Sequence, residues 1–384
     1  MSDHVVVLGA GYAGSGAIST LQKELDPTTR LTWISETDYH LLLHESHRAI
    51  RDPTVRSDIT IPVEDIAKSK TQFIRDRVVG LNVDDRVVEL ESGQDVEYDY
   101  VVVCLGSKTA YYGIPGLKAH ALTLKSLNDA LGINEALMTA SQNATRSDPA
   151  TIVVGGAGLS GIQSAGEIAG FRDDQRAPME IVLVEALDEI FPGNDPAVQR
   201  ALRTLLETAG ITIRTDDPIV EIDDSVIRFD EGDPLEYDVM LWTGGITGRD
   251  ALEETDLNNE HNRINADATF QTSDERVFAI GDSAIVDQGA MPAPPTAQAA
   301  WQAAELVGTN VSRAIDGRPL ETWEFDDKGT VISVGEEAVA HDVKFFPVTT
   351  FGGIPAKTLK KLIAARWIAD LTSWNRARKA WSSL

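Results

Sequence analysis

The chain has 384 residues, with 34 Lys and Arg against 60 Asp and Glu, a formal net charge of −26. That balance repels polyanions and argues against nucleic acid as a partner, while 42% apolar residues supply core for two or three compact units. Cys104 is the only cysteine, which excludes an intrachain disulfide, a Cys-rich zinc site and an internal dithiol pair.

The acidic excess, with Arg favoured over Lys, suggests a halophile's solubility strategy. Met1 to His4 lead directly into an apolar strand without the basic and apolar regions of a signal peptide, so a cytoplasmic body is expected. Pro149 to Gly166 and Gln288 to Ala304 lack charge but are too rich in Gly, Pro, Ser or Gln for a spanning helix, and no transmembrane helix is expected.

In chain order, a β-branched run Val5 to Leu8 is followed by Gly9-Ala10-Gly11-Tyr12-Ala13-Gly14, a helix of small residues and a strand Leu31 to Ile34 ending near Glu36. Val78 to Leu81 and Arg86 to Leu90 read as antiparallel ribbon before a strand Tyr100 to Leu105. The same plan returns: Thr151 to Val154, Gly156-Ala157-Gly158-Leu159-Ser160-Gly161, a helix through Ala169, and a strand Ile181 to Val184 ending at Glu185. Ile219 to Ile222, Ser225 to Phe229 and Val239 to Trp242 echo the ribbon and closing strand. Beyond Gly248 come Val277 to Asp282, a helix from about Pro295, strands Val331 to Val334 and Val343 to Phe346, and a basic tail from Pro355 to Leu384. The expected fold is α/β, with two Rossmann-like dinucleotide-binding domains and a small C-terminal region. Residues 1–115 plus 275–322 form one, residues 116–274 the other, and residues 323–384 the C-terminal strands and tail.

A glycine loop between strand and helix suits a dinucleotide for three reasons. The first Gly turns tightly, the second lets backbone approach a pyrophosphate, and the third packs helix on strand. The helix N-terminus then offers free N–H groups to the phosphates. An acid about 20 positions onward accepts from ribose hydroxyls, and Glu36 and Glu185 stand there. Glu185 favours NADH over NADPH because a carboxylate repels a 2′-phosphate. Asp282, just after a strand returning to the first sheet, is placed to accept from a ribityl hydroxyl, although a plain strand-ending turn has the same sequence.

The chain resembles the type II NADH dehydrogenases, single-polypeptide NADH:quinone oxidoreductases of the two-dinucleotide-domain flavoprotein superfamily. The likeness covers nearly the whole length. It rests on both glycine loops, Tyr39-His40, Cys104 to Ser107, Gly113 to Gly116, Trp242 to Gly245, Phe278 to Asp282, and Ala297-Gln298-Ala299-Ala300-Trp301-Gln302, which fits the family's A-Q-x-A-x-Q pattern. The resemblance implies that Gly9, Gly11, Tyr12, Ala13, Gly14, Glu36, Val79, Gly106, Gly281, Asp282, Ala297 and Gln298 bind FAD. It assigns Gly156, Gly158, Leu159, Ser160, Gly161, Glu185, Gly244 and Gly245 to NADH. Gln298 and Gln302 are expected on the quinone side, with bridging of backbone as their alternative role. Where the family has a glutamate two positions after the last glycine, this chain has Gln163, which cannot ionise; Glu167, one turn later, shares that helix and is a second candidate for proton handling.

His40, His44 and His47 have a spacing that invites a metal, but no second ligand cluster accompanies them, and no metal is expected. Cys104 reads as a small buried hydrophobe, and a single cysteine argues against disulfide-reductase, peroxidase and sulfide:quinone chemistry. The tail carries Lys357, Lys360, Lys361, Arg366, Arg376, Arg378 and Lys379 against one acid, Asp370, interleaved with Leu359, Leu362, Ile363, Trp367, Ile368, Leu371, Trp374 and Trp381. A basic amphipathic helix with tryptophans lies in a membrane interface; docking on the acidic body or on a homodimer mate is the alternative. Together these readings imply a peripheral enzyme on the cytoplasmic face of the membrane, passing electrons from NADH through FAD to a menaquinone- or ubiquinone-type acceptor without ion pumping. The rivals are a soluble NADH-dependent reductase of ferredoxin, rubredoxin or another small acceptor, and a catalytically weak flavoprotein that signals through bound nucleotide.

Overall fold

A computed structural model describes residues 3–344 and 346–384. The first sheet is built on β1 (His4–Leu8), every residue of which is buried. A strand flanked on both sides within a covered parallel sheet has no face left for solvent, which explains the unbroken apolar run Val5 to Leu8 after His4. After the glycine loop, α1 (Tyr12–Glu24) returns the chain to β2 (Arg30–Ser35), and β3 (Thr71–Arg75) and β4 (Tyr100–Val103) extend the sheet on either side. The ribbon between them is the three-stranded sheet Val78–Asn82, Val87–Leu90 and Asp95–Glu97.

A helix absent from the sequence reading, α2 (Leu127–Asn143), then begins on a capping box in which Ser126 and Asp129 bond each other's backbone N–H. The second sheet follows: β5 (Ala150–Gly155), α3 (Leu159–Gln175), β6 (Met179–Val184), α4 (Pro196–Thr208), β7 (Ile211–Arg214) and β8 (Val239–Trp242), in spatial order β7, β6, β5, β8. All its pairings are parallel.

The chain then returns to the first sheet. β9 (Val277–Ala279) pairs in parallel with β4, giving the order β9, β4, β1, β2, β3. Strand Arg263–Ala266, on the near side of the boundary expected at residue 274, pairs with Ala284–Val286 beyond it. From α5 (Ala297–Ile315) the chain packs back across α1. A Cβ on Gly16 would stand 2.6 Å from Ala304 Cβ, and one on Gly308 2.8 Å from Thr20, so small residues set how closely the two helices approach.

The C-terminal region is a three-stranded antiparallel sheet, β10 (Thr330–Val334), β11 (Glu337–His341) and β12 (Thr350–Gly352), followed by α6 (Gly353–Leu371) and α7 (Trp374–Ala380). The strand expected at Val343 to Phe346 is not formed by Val343, Lys344 or Phe346, and Phe345 lies outside the described residues. Asp342, at φ 50°, turns left-handed where an extended run would have to continue, and the pairing shifts to β12. No helix among the described residues is long and apolar enough to cross a membrane.

Candidate functional site

The two glycine loops have the same internal geometry. Gly9 (φ +103°) and Gly156 (φ +93°) hold backbone that L side chains rarely adopt. A Cβ there would stand 2.3 Å from the Cys104 carbonyl oxygen in the first loop and 2.8 Å from Gly244 in the second. The third glycines are as confined, with Gly14 and Gly161 Cβ positions 2.0 and 1.8 Å from the carbonyl oxygens of Gly9 and Gly156. The middle glycines differ: Gly11 and Gly158 face open space, with nothing within 4 Å of an added Cβ. Both are helix N-caps with no side-chain cap bond, so the first N–H groups of α1 and α3 remain free for an anion. A pyrophosphate needs that combination of tight turn, bare backbone and free donors, and the residues present fit a dinucleotide at each loop.

Around the first loop, Tyr12 and Ala13 are buried in the opening turn of α1. Glu36 is exposed just beyond β2, with Arg77 Nε 3.2 Å from one carboxylate oxygen and Arg249 3.9 Å from the other. Gly281 (φ +70°) lies against that turn, 2.9 Å from Ala13 Cβ by its own Cβ position, which brings Asp282 to the loop. Asp282 Oδ2 accepts from Ser107 Oγ at 3.0 Å, and Lys125 Nζ reaches Ser107 Oγ at 3.3 Å. Burial lowers the Lys125 pKa, with Asp282 opposing the shift. Ser107 was read only as the end of the Cys104 to Ser107 motif, without a role, and Lys125 was not singled out, since a lone lysine gives no signal until the fold joins the two. Gly106 (φ +70°) turns beside them with open space around it. Val79 sits in the ribbon strand Val78–Asn82, nearly half exposed.

Around the second loop, Glu185 is buried and folds back on the turn, accepting from Ala157 N–H at 2.7 Å and Leu187 N–H at 3.1 Å. Leu159 and Ser160 are exposed at the start of α3. Gly244 and Gly245 close the far side of the loop, where Tyr112 Oη donates to the Gly244 carbonyl at 3.1 Å.

Gln298 and Gln302, one turn apart on α5 behind Ala297, point to a single strap. Gln302 Oε1 accepts from Asp326 N–H at 3.0 Å while its Nε2 donates to the Asp326 carbonyl at 2.9 Å. Gln298 Oε1 accepts from Lys328 N–H at 2.8 Å. Both amides bridge backbone of residues 326–329 here.

Gln163 and Glu167 are buried in α3, and they border an ionic cluster that the sequence reading missed. Lys360 Nζ of α6 lies 2.9 Å from Ser333 Oγ, 3.2 Å from His47 Nε2 and 3.3 Å from the Glu45 carboxylate; Gln163 Nε2 reaches Ser333 Oγ at 3.3 Å. Burial pulls the Lys360 ammonium down to about 8, against the pull of Glu45. Burial alone would raise the Glu45 carboxyl, but the charges of Lys360, His44 and Arg48 outweigh it and hold the group far below the usual carboxylate range. Glu167 is raised by burial, and its Oε1 has no hydrogen-bond partner. The available signal was the dense run His44-Glu45-Ser46-His47-Arg48 inside an apolar stretch.

The three histidines part company: His40 bonds the Ala10 carbonyl and Trp367, His44 bonds Tyr12, and His47 faces Ser333 and Lys360. Cys104 is buried, and burial pushes its thiol up. The tail presents two faces. Lys360 and Trp367, counted among its outward cations and tryptophans, are instead buried against the body because α6 packs on α1, β10, β11 and the Glu45 segment. Ile354, Leu362, Ile363, Trp374 and Trp381 are exposed.

The comparisons with known proteins agree with this geometry. The type II NADH:quinone oxidoreductase of Staphylococcus saprophyticus is 32% identical over 96% of this chain and 95% of its own length, and that of Staphylococcus aureus 30% identical over 94% of each. Among solved structures, NDH2 from Plasmodium falciparum in complex with NADH superposes with a TM-score of 0.84 at 15% identity, covering 100% of this chain and 97% of that one. The sulfide:quinone oxidoreductase of Aquifex aeolicus reaches 0.80 at 18% identity, over 98% and 92%. Residues 3–304 match the family described as pyridine nucleotide-disulphide oxidoreductase. The chain belongs to that family and, within it, to the type II NADH:quinone oxidoreductases.

Proposed function

We propose that the protein oxidises NADH and reduces a membrane quinone, with FAD as the carrier, as a peripheral enzyme of the cytoplasmic membrane face that moves no ions. The observation that carries this reading is the pair of loops whose middle glycines are bare while the outer four are packed. FAD, when bound, supplies a two-electron carrier between donor and acceptor. The chain's own residues orient and enclose: α1 and α3 offer N–H groups to the two pyrophosphates, Glu36 and Glu185 accept from ribose hydroxyls, and Asp282, held by Ser107, is aimed at the flavin side. Gln163 and Glu167 border the acceptor side in this reading, and Gln298 and Gln302 shape its wall through the strap at residues 326–329. The exposed apolar side chains of α6 and α7, with Lys357, Lys361, Arg366, Arg378 and Lys379, supply the membrane contact.

The test is a stopped-flow mix of the yellow holoprotein with NADH, then with menaquinone or ubiquinone analogues, while flavin absorbance is followed. Bleaching by NADH and prompt return with quinone is the expected result. Bleaching without return on quinone transfers the reading to a soluble reductase of another acceptor, and no bleaching removes it. Addition of NADH and quinone to proteoliposomes carrying a potential-sensitive dye should leave the dye signal flat.

A further inference from the structure

Tyr112 differs from its neighbour Tyr111 in backbone, exposure and place. Its φ of 51° is left-handed, a region that a bulky side chain enters only at a cost. Its side chain is 68% exposed, whereas Tyr111 packs against the cluster of Val153, Val184 and Trp242 on the second sheet. Two more residues held left-handed, Phe191 and Asp216, border the second glycine loop. Phe191 N–H donates to the Ala157 carbonyl at 2.8 Å, and Asp216 N–H donates to the carbonyl of Leu187, whose own N–H holds Glu185. Strain of this kind persists only where the surrounding structure imposes it, and it gathers at binding sites.

The segment that carries Tyr112 is stitched to the chain leaving β8. Lys108–Thr109 pairs antiparallel with Ile246–Thr247, Ala110 N–H donates to the Gly245 carbonyl at 3.1 Å, and Trp242 Nε1 donates to the Ala110 carbonyl at 2.8 Å. Tyr112 Oη then donates to the Gly244 carbonyl. A Cβ on Gly245 would lie 1.9 Å from that phenol oxygen, so only glycine lets the ring rest there. Thr243 Oγ1 ties the same stretch to the second loop, donating to the carbonyls of Gly155 and Gly156 at 3.0 and 2.9 Å. The ring is thereby fixed at the carboxyl ends of the second sheet's strands, where ligands of parallel sheets bind.

Sheet order decides which half of a dinucleotide would lie beside it. β5 runs between β6 and β8, and the glycine turn that suits a pyrophosphate leaves β5. Glu185 follows β6 and takes the adenosine side in the reading above, so the other half of the molecule extends toward the end of β8. Gly244, Gly245 and Tyr112 stand there.

We propose, resting on the NADH reading of the second loop, that Tyr112 is a binding residue for the nicotinamide riboside half of the nucleotide. Its ring is the outer wall against which the riboside lies, and the bond to Gly244 keeps the ring standing. The left-handed backbone turns it away from the core that takes Tyr111. Tyrosine suits such a wall, with a large flat apolar face, a polar tip and only two χ angles to immobilise.

The oxidised holoprotein, its first loop filled by FAD, is titrated calorimetrically with NAD⁺ and separately with ADP, which has the adenosine and both phosphates but no nicotinamide riboside. Asparagine tolerates left-handed backbone, so Tyr112→Asn removes the ring without straining the turn, while Tyr112→Phe keeps the ring and loses only the hydroxyl. For Tyr112→Asn the affinity for NAD⁺ should fall by about 10-fold while that for ADP stays within about 2-fold; Tyr112→Phe should remain within about 3-fold for both. In wild-type protein carrying 3-fluorotyrosine, the fluorine resonance that Tyr112→Phe removes should shift with NAD⁺ and hold still with ADP. Unchanged NAD⁺ affinity in Tyr112→Asn, or equal weakening of NAD⁺ and ADP, overturns the contact, as does a fluorine signal indifferent to NAD⁺. A wild type that binds neither nucleotide overturns the NADH site itself and the contact with it. Neither titration involves quinone, so a failure of the acceptor reading shows in the stopped-flow experiment and not here.

Discussion

The indole N–H of Trp367 donates to Nε2 of His40 across 2.8 Å, fastening the C-terminal helix to the segment that follows β2. The other ring nitrogen, Nδ1, lies 2.9 Å from the Ala10 carbonyl. His40 therefore donates from Nδ1 and accepts at Nε2, which only the neutral ring does.

Burial accordingly lowers the His40 pKa to about 4 from 6.5. In that interval the unfolded chain binds the extra proton, so the stabilising contribution is complete above about pH 6.5 and is lost as pH falls toward about 4. Replacing the ring should flatten the acid limb of the stability curve by up to one proton, about 1.4 kcal/mol per pH unit. Urea melts of wild type and His40→Phe between pH 4 and 7 check this. Parallel slopes would remove His40 as a source of the acid sensitivity; His44 and His47, also lowered by burial, keep part of the slope in the variant.

The loops separate binding from folding. Gly158 has a φ of −76° or so open to any residue and free space at its Cβ, so Gly158→Ala should melt with the wild type while its methyl intrudes where a pyrophosphate would lie. Its affinity for NADH should fall about 10-fold or more. Gly161→Ala places a Cβ 1.8 Å from the Gly156 carbonyl oxygen and should lose stability, on the order of 1–3 kcal/mol, before any question of binding arises. Melting curves and NADH titrations of the two variants decide the matter. Equal stability in both would contradict the geometry.

What the sequence revealed and what it hid follow from range. The glycine loops, their strands and Glu36 and Glu185 are legible because strand, turn and helix are contiguous and each glycine has a local steric reason. The return of β9 beside β4 was also readable, as an apolar run Val277 to Ile280 ending in Gly281-Asp282. The Glu45–Lys360 pair was not, because the two residues lie 315 positions apart and meet only when α6 packs under the first loop. Periodicity likewise put Lys360 and Trp367 on an amphipathic tail without telling which face of α6 the body would take.

Glu185 is the residue proposed to set the choice of nucleotide. Its carboxylate is fixed by Ala157 and Leu187 N–H groups at the end of β6, so its charge cannot swing away from an incoming 2′-phosphate. Glu185→Gln keeps an acceptor but removes the repulsion, and the ratio of kcat/KM for NADH over NADPH should fall by about 10-fold, a change of about 1.4 kcal/mol in relative transition-state binding. Steady-state kinetics with both nucleotides measure it, and an unchanged ratio assigns the preference to other residues.

The two faces of the tail make separable demands. Leu362, Ile363 and Trp374 are exposed on α6 and α7 and contribute little to the core, whereas Trp367 is buried among Tyr12, His40 and Trp301. Full burial of one large apolar side chain in lipid is worth about 1.5–3 kcal/mol, so replacing the three exposed residues by Ser should weaken partition onto vesicles by well over about 10-fold. The same triple variant should melt within about 2 °C of the wild type, since no core packing is removed. Because Lys357, Lys361, Arg378 and Lys379 remain, the residual binding should depend on anionic lipid and decline with salt. Cosedimentation with vesicles containing phosphatidylglycerol, at low and high salt, reads both quantities. A triple variant that binds as well as the wild type assigns this face to a second copy of the chain or to solvent.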